Sequence, residues 1–163
     1  MEVMFGLSLK EQLKVYKESI MNELVKSENI VKAIVNTPEN FLEIPVTINP
    51  TSLIYKNIFP YKKIPKIEDE VKTYITIKLG GFKPYQQNTY KIGYIVFYVF
   101  THDDLMKTDE GTRVDYIIGE IDEIFNDKKH IFANSLVFDG MDEIEFPNNY
   151  YGAWIRYKGT DLK

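Results

Sequence analysis

The stretch Val71-Lys72-Thr73-Tyr74-Ile75-Thr76-Ile77-Lys78-Leu79 decides how this chain folds. Its odd positions are apolar apart from Thr73 and its even positions are mostly polar, the period of a half-buried strand. Gly80-Gly81 then leads into Phe82-Lys83-Pro84-Tyr85-Gln86-Gln87-Asn88, and residues 80–89 read as a loop longer than a hairpin needs. Beyond it, Tyr90 to Thr101 is apolar on both sides. Tyr94, Val96, Tyr98 and Phe100 alternate with Ile95, Phe97 and Val99. A strand of that kind belongs in the middle of a sheet, covered on both faces.

Working back from the strand, residues 38–70 form the least regular part of the chain. Pro38, Pro45, Pro50, Pro60 and Pro65 break any long element, since each lacks an amide donor and restricts its predecessor. Thr51-Ser52-Leu53 can open one turn of helix, and Ile58-Phe59-Pro60-Tyr61 reads as a short edge strand, where proline is tolerated. The region is expected to be an ordered arm that wraps the domain or a neighbour. Before it, Ser8-Leu9-Lys10-Glu11 is a capping box. Leu9, Leu13, Tyr16, Ile20 and Leu24 follow at helical spacing, which predicts an amphipathic helix over 9–26. Ser27 can cap a second short helix with Ile30, Val31, Ile34 and Val35 on one side, ended by Thr37-Pro38.

On the other side of the strand pair, residues 102–111 read as a polar connection. Thr112 is the expected N-cap of a helix to about Asn126, with Val114, Ile117, Ile118, Ile121, Ile124 and Phe125 as its buried stripe. Two strands follow, at 135–146 and 150–158, joined by the turn signature Pro147-Asn148-Asn149. The predicted fold class is α+β: a four-stranded, largely antiparallel sheet packed against helices, with an N-terminal helix and a proline-rich arm. Residues 1–163 are expected to form a single domain, divided into N-terminal helices (1–37), arm (38–70) and sheet-plus-helix core (71–163).

The chain has 163 residues, 44% hydrophobic and 27% charged, enough apolar surface for a core. With 20 Lys+Arg against 24 Asp+Glu the net charge is -4, which excludes a uniformly basic surface for nucleic acid. There is no cysteine, so disulfides, thiolate nucleophiles and Cys-ligated zinc are excluded. Aromatics reach 14%, with 12 Tyr and 10 Phe. Tyrosine suits half-buried strands and interfaces, and the same excess fits an AT-rich genome. The first residues lack the basic n-region and apolar core of a signal peptide. The apolar run from Tyr94 to Phe100 is far below the roughly 20 residues that span a bilayer.

Chemistry is sparse. His102-Asp103-Asp104 has metal-competent side chains, but adjacent residues at a strand end point in alternate directions, so a turn is expected there. His102 and His130 have no Gly-x-Ser-x-Gly elbow to serve, and Gly80-Gly81 opens no phosphate loop. Asp109-Glu110-Gly111 and Asp139-Gly140-Met141-Asp142-Glu143 lack the spaced ligands of a calcium loop. Glu70-Val71-Lys72 has the acid-x-lysine spacing of some metal-dependent nucleases, a three-residue signal. The expectation is therefore no catalytic residue, no cofactor and no metal. Phe82, Lys83, Tyr85, Gln86 and Gln87 are the candidate interface, because they offer aromatic and amide contacts on the long loop.

The segment Tyr94–Leu105, the run Thr108-Asp-Glu-Gly-Thr-Arg-Val-Asp-Tyr-Ile-Ile118 and Glu120-Ile-Asp-Glu-Ile-Phe125 resemble a pattern of tailed phages. The pattern is that of small neck proteins, the head–tail connectors and tail terminators, of phages and prophages of low-GC Gram-positive bacteria. Leu9-Lys-Glu-Gln-Leu13 and Asn57-Ile-Phe-Pro-Tyr61 are also similar to that group. The resemblance implies an α+β structural protein, assembled as a ring, typically a hexamer, at the junction of capsid and tail. Its partners would be portal, adaptor or tail-tube proteins, with DNA passing through the lumen without sequence-specific binding and no membrane involved. Its place would be the virion, and the host cytoplasm during assembly. A small nuclease using Glu70 and Lys72, or a monomeric protein-binding module, are the competing readings.

Overall fold

A computed structural model of the chain describes residues 6–64, 66, 71–129, 131–132 and 134–162. Helix α1, Leu9–Lys26, opens with the capping box in full: Glu11 N donates to Ser8 Oγ at 3.2 Å, and Ser8 N donates to Glu11 Oε2 at 2.8 Å. Tyr16, Ile20 and Leu24 are buried, whereas Leu9, in the first turn, remains 59% exposed. Ser27 serves two helices. Its amide donates to Leu24 O at the end of α1, and its hydroxyl accepts from Ile30 N to cap α2, Glu28–Val35.

The arm wraps the domain's own core. Its 3₁₀ turns Phe41–Glu43 and Pro50–Leu53 bury Phe41 and Leu53. The short strand β1, Ile58–Phe59, then pairs parallel with the N-terminal part of β2, Thr73–Tyr85. Strand β3, Tyr90–His102, pairs antiparallel with β2 on one side and with β7, Tyr150–Leu162, on the other; β6, Val137–Phe146, pairs antiparallel with β7. The sheet order is β1-β2-β3-β7-β6. The fold is α+β as expected, but the edge strand β1 makes the sheet five-stranded and mixed. The connection after β3 is more ordered than a polar loop. It holds a 3₁₀ turn, Asp103–Leu105, and a small ribbon of β4, Lys107–Thr108, and β5, Gly111–Thr112. Helix α3, Arg113–Phe125, is capped by Thr112 and lies across β3 and β7, while α2 covers β2.

The expected long loop after Gly80-Gly81 does not exist. β2 continues to Tyr85, and the connection is the tight turn of residues 86–89. The register shifts between Gly80 and Lys83, so Gly81 and Phe82 together face Gly93. Gly81 has φ +66°, the left-handed residue of a β-bulge that only glycine fills without strain. The extra residue turns Phe82 to the helix side, where its ring stacks on Tyr16 at 6.2 Å and meets Phe132 edge-on at 6.1 Å. On the opposite face the Tyr94 ring occupies the space a Cβ at Gly81 would need. The glycine pair that opens the expected loop is instead a bend within a strand.

Arg113 opens α3 from the interior, 1% exposed. Its Nε donates to Leu105 O at 2.8 Å, and Nη1 donates to Ala33 O and Asn36 O at 2.7 and 2.9 Å. Nη2 donates to Thr37 O and Pro38 O at 3.0 and 3.3 Å, and the guanidinium lies over the Phe41 ring. Every N–H of the guanidinium thus has a carbonyl, and the cation sits at the C-terminal end of α2, where the carbonyl ends favour positive charge. Burial draws its pKa below the usual arginine value, but a guanidinium stays protonated.

Two substitutions test this arrangement. Ile121, fully buried on α3, should cost about 2–5 kcal/mol as Ile121→Ala through transfer and cavity terms, whereas exposed Glu123→Ala should change stability by less than about 0.5 kcal/mol. Arg113→Lys keeps the charge but offers three donors in place of five, leaving carbonyls unsatisfied. It should lower urea stability by about 2–4 kcal/mol, read as a shifted midpoint at constant slope.

Candidate functional site

Alternation sends two sets of sheet residues to opposite faces, and only one set is roofed by helices. Ile75, Ile77, Ile95, Phe97, Val99, Ala153, Ile155 and Tyr157 join the helical core. The other face carries Phe59, Tyr74, Phe100 and Tyr150, buried in a separate aromatic cluster flanked by Tyr98 and Phe146. Tyr74 stacks on Phe100 at 5.3 Å, and Phe100 lies 4.5 Å from Phe146. Tyr74 and Thr76 are therefore buried too, so the first half of β2 is covered on both sides and not half-buried as its alternation implied.

Cations sit on these rings. Lys62 Nζ is 4.6 Å from the Tyr98 ring centre and Lys63 Nζ 4.7 Å from that of Phe59. The Arg156 guanidinium lies 5.1 Å from Tyr94 and 5.3 Å from Trp154, held by Asp139 Oδ2 at 2.8 Å. Tyr94, Val96, Tyr98, Trp154 and Arg156 are only partly buried. Planar rings with tethered cations, over which no helix of the described residues lies, form a surface suited to protein contact.

The expected interface residues divide. Phe82 turns into the core, while Lys83, Tyr85, Gln86 and Gln87 are exposed at the hairpin tip. Gln86, Gln87 and Asn88 all have positive φ, 51°, 54° and 70°. Among the sequence's chemical candidates, His102 Nδ1 accepts from Asp104 N at 3.1 Å and caps the turn 103–105, a local structural bond. Asp139 holds Arg156, and Asp142 Oδ1 accepts from Glu143 N at 2.8 Å. Thr108, beside Asp109 and Glu110, closes its own turn by donating to Gly111 O. His130, Pro65 and Glu70 lie outside the described residues, and with Glu70 the acid-x-lysine pair. Among the described residues, no group of three or more His, Asp or Glu is placed to hold a metal ion.

The remaining buried ionisable groups tie elements together. Tyr16 OH donates to Asp161, joining α1 to the end of β7, and Lys91 faces Asp161 across the strand pair. Tyr157 OH donates to Asp122 Oδ1 at 2.7 Å, joining β7 to α3. Burial first, and then the neighbouring carboxylate, raises both tyrosines well above their ordinary value. Burial lowers Lys91, offset in part by Asp161.

The sign of the tyrosine effect follows from linkage. Both pKa values are raised in the folded state, so their stabilisation is intact below the unfolded tyrosine value of about 10 and is lost as pH climbs above it. Thermal melts should show stability falling from about pH 10 upward, and the Tyr16→Phe/Tyr157→Phe double variant should fall less steeply there.

A search among curated proteins finds no match to this sequence. The family model for YomW matches residues 27–158, from the start of α2 through most of β7. That span includes the arm, the Arg113 clamp, the bulged hairpin and the aromatic face. It leaves out α1 alone among the helices. Its name is a gene name of the Bacillus phage SPBc2 kind, and on this match the chain belongs to the YomW family and is a phage-related protein.

Proposed function

We propose that the protein is a structural component of the phage neck, assembled as a ring that terminates the tail tube or joins it to the head. The observation that carries this reading is the face of the sheet where Tyr94, Tyr98, Trp154 and Arg156 lie partly exposed, with no helix of the described residues over them. The buried polar groups support it from the other side. Arg113, Tyr16–Asp161 and Tyr157–Asp122 are each engaged in joining elements, which leaves the surface to carry function. The net charge of -4 suits a channel through which DNA slides without its phosphates being gripped.

The test is assembly. Purified protein should have a native mass that is a multiple of 19.1 kDa, and particles made without it should accumulate unjoined heads and tails. A monomer at all concentrations would favour a protein-binding module instead. Magnesium-dependent cleavage of a labelled duplex, abolished by Lys72→Ala, would favour the nuclease.

A further inference from the structure

The two long edges of the sheet are opposite in charge. β6 ends the sheet on one side and carries Asp142, Glu143 and Glu145, all exposed, with no lysine or arginine anywhere in the strand. On the other side β1 pairs only with Ile75 and Thr76. Among the described residues no strand lies against 77–85 of β2 on that side. This free length carries Lys78 and Lys83, both exposed, and no acid. An unpaired strand edge is a template for another strand, and charged side chains normally blunt it. Here the charges choose a partner. A second β6 against β6 would set carboxylates on carboxylates, and β2 against β2 would set lysines on lysines. Only β6 against β2 is complementary.

Strand direction agrees. Along the sheet β2, β3, β7 and β6 alternate, so placing β6 of one copy beside β2 of the next continues the antiparallel alternation. The lengths agree as well, a ten-residue β6 against residues 77–85. Next to this edge the groove between α3 and β6, lined by Ile118 and Gly119, leaves Phe138 48% and Met141 43% exposed on the helix side. A neighbour joined in this way brings its own α2, which covers β2, towards that groove.

We propose that the protein assembles head to tail by pairing the acidic β6 edge of one copy with the basic 77–85 edge of β2 of the next. The contact is heterologous, so it generates a ring when the rotation closes. It rests on the ring reading above and adds the surfaces that make the ring. The test is a charge exchange. One variant carries Asp142→Lys and Glu145→Lys, the other Lys78→Glu and Lys83→Glu. Each alone should have the native mass of one chain with unchanged circular dichroism, and an equimolar mixture should regain a multimer in which the two alternate. A wild-type protein that is itself monomeric overturns the ring and this contact together. A multimeric wild type whose variants keep its mass, or whose variants stay monomeric when mixed, leaves the ring standing and overturns the edges. Amide exchange gives a second measure that needs no variant. Protection at 77–85 and 141–145 should rise on going from dilute monomer to multimer, and unchanged protection in both segments overturns the proposal.

Discussion

Among the described residues one buried cation organises the fold. Arg113 starts α3, but its guanidinium belongs to the end of α2, the first residues of the arm and the turn after β3, through the carbonyls of Ala33, Asn36, Thr37, Pro38 and Leu105. Burying a charge is costly unless its donors are all satisfied. Here no carboxylate is needed, because the carbonyl ends of a helix and a turn supply the negative charge. The consequence is positional. α2 lies over β2 and α3 over β3 and β7, and the clamp fixes the two helices relative to each other. Asn36 extends it, its side-chain amide donating to Phe41 O and Ile44 O at 2.9 Å and drawing the arm under the same roof.

Once one face is roofed, the other face must find a different solution. The arm supplies part of it by laying Phe59 beside Tyr74, and aromatic side chains on β2, β3, β6 and β7 supply the rest. Rings bury a large area on a flat surface without needing an opposing layer, and their faces accept lysine and arginine stems. The tyrosine excess therefore has a location. Tyr74, Tyr94, Tyr98 and Tyr150 all serve this face, while Tyr16 and Tyr157 use their hydroxyls to tie helices to β7.

Much of this was legible in the chain because it is written in local rules. The capping residues Ser8, Ser27 and Thr112, the stripe of α3 and the period-two strands depend on neighbours a few residues apart. What was not legible depends on partners far away. Gly80-Gly81 has the composition of a turn, and only the register against β3 makes it a bulge that sends Phe82 inward. Of the residues expected at an interface, Lys83, Tyr85, Gln86 and Gln87 lie exposed at the hairpin tip and Phe82 is turned inward. Arg113 could be quoted as part of a resemblance, but nothing in its spacing reveals carbonyls some 80 positions away. The sheet's second face was legible in β3, apolar on both sides, but missed in β2, because Tyr74 and Thr76 count as polar in an alternation and burial of Tyr74 under aromatic neighbours is a tertiary fact.

The charged and hydroxyl groups divide between the interior and the edges of the sheet. In the interior of this fold the commitments are structural: Arg113 to backbone, Tyr16 to Asp161, Tyr157 to Asp122. At the two edges of the sheet, exposed acids run along β6 and Lys78 and Lys83 along β2, with β3 and β7 between them. Opposite charges held that far apart on a rigid plate cannot neutralise each other within one molecule. In the head-to-tail pairing proposed above they do so between molecules arranged in the same sense, and the unlike edges give that pairing its direction. The aromatic face, lying between those edges, would then run continuously from copy to copy on one side of the assembly.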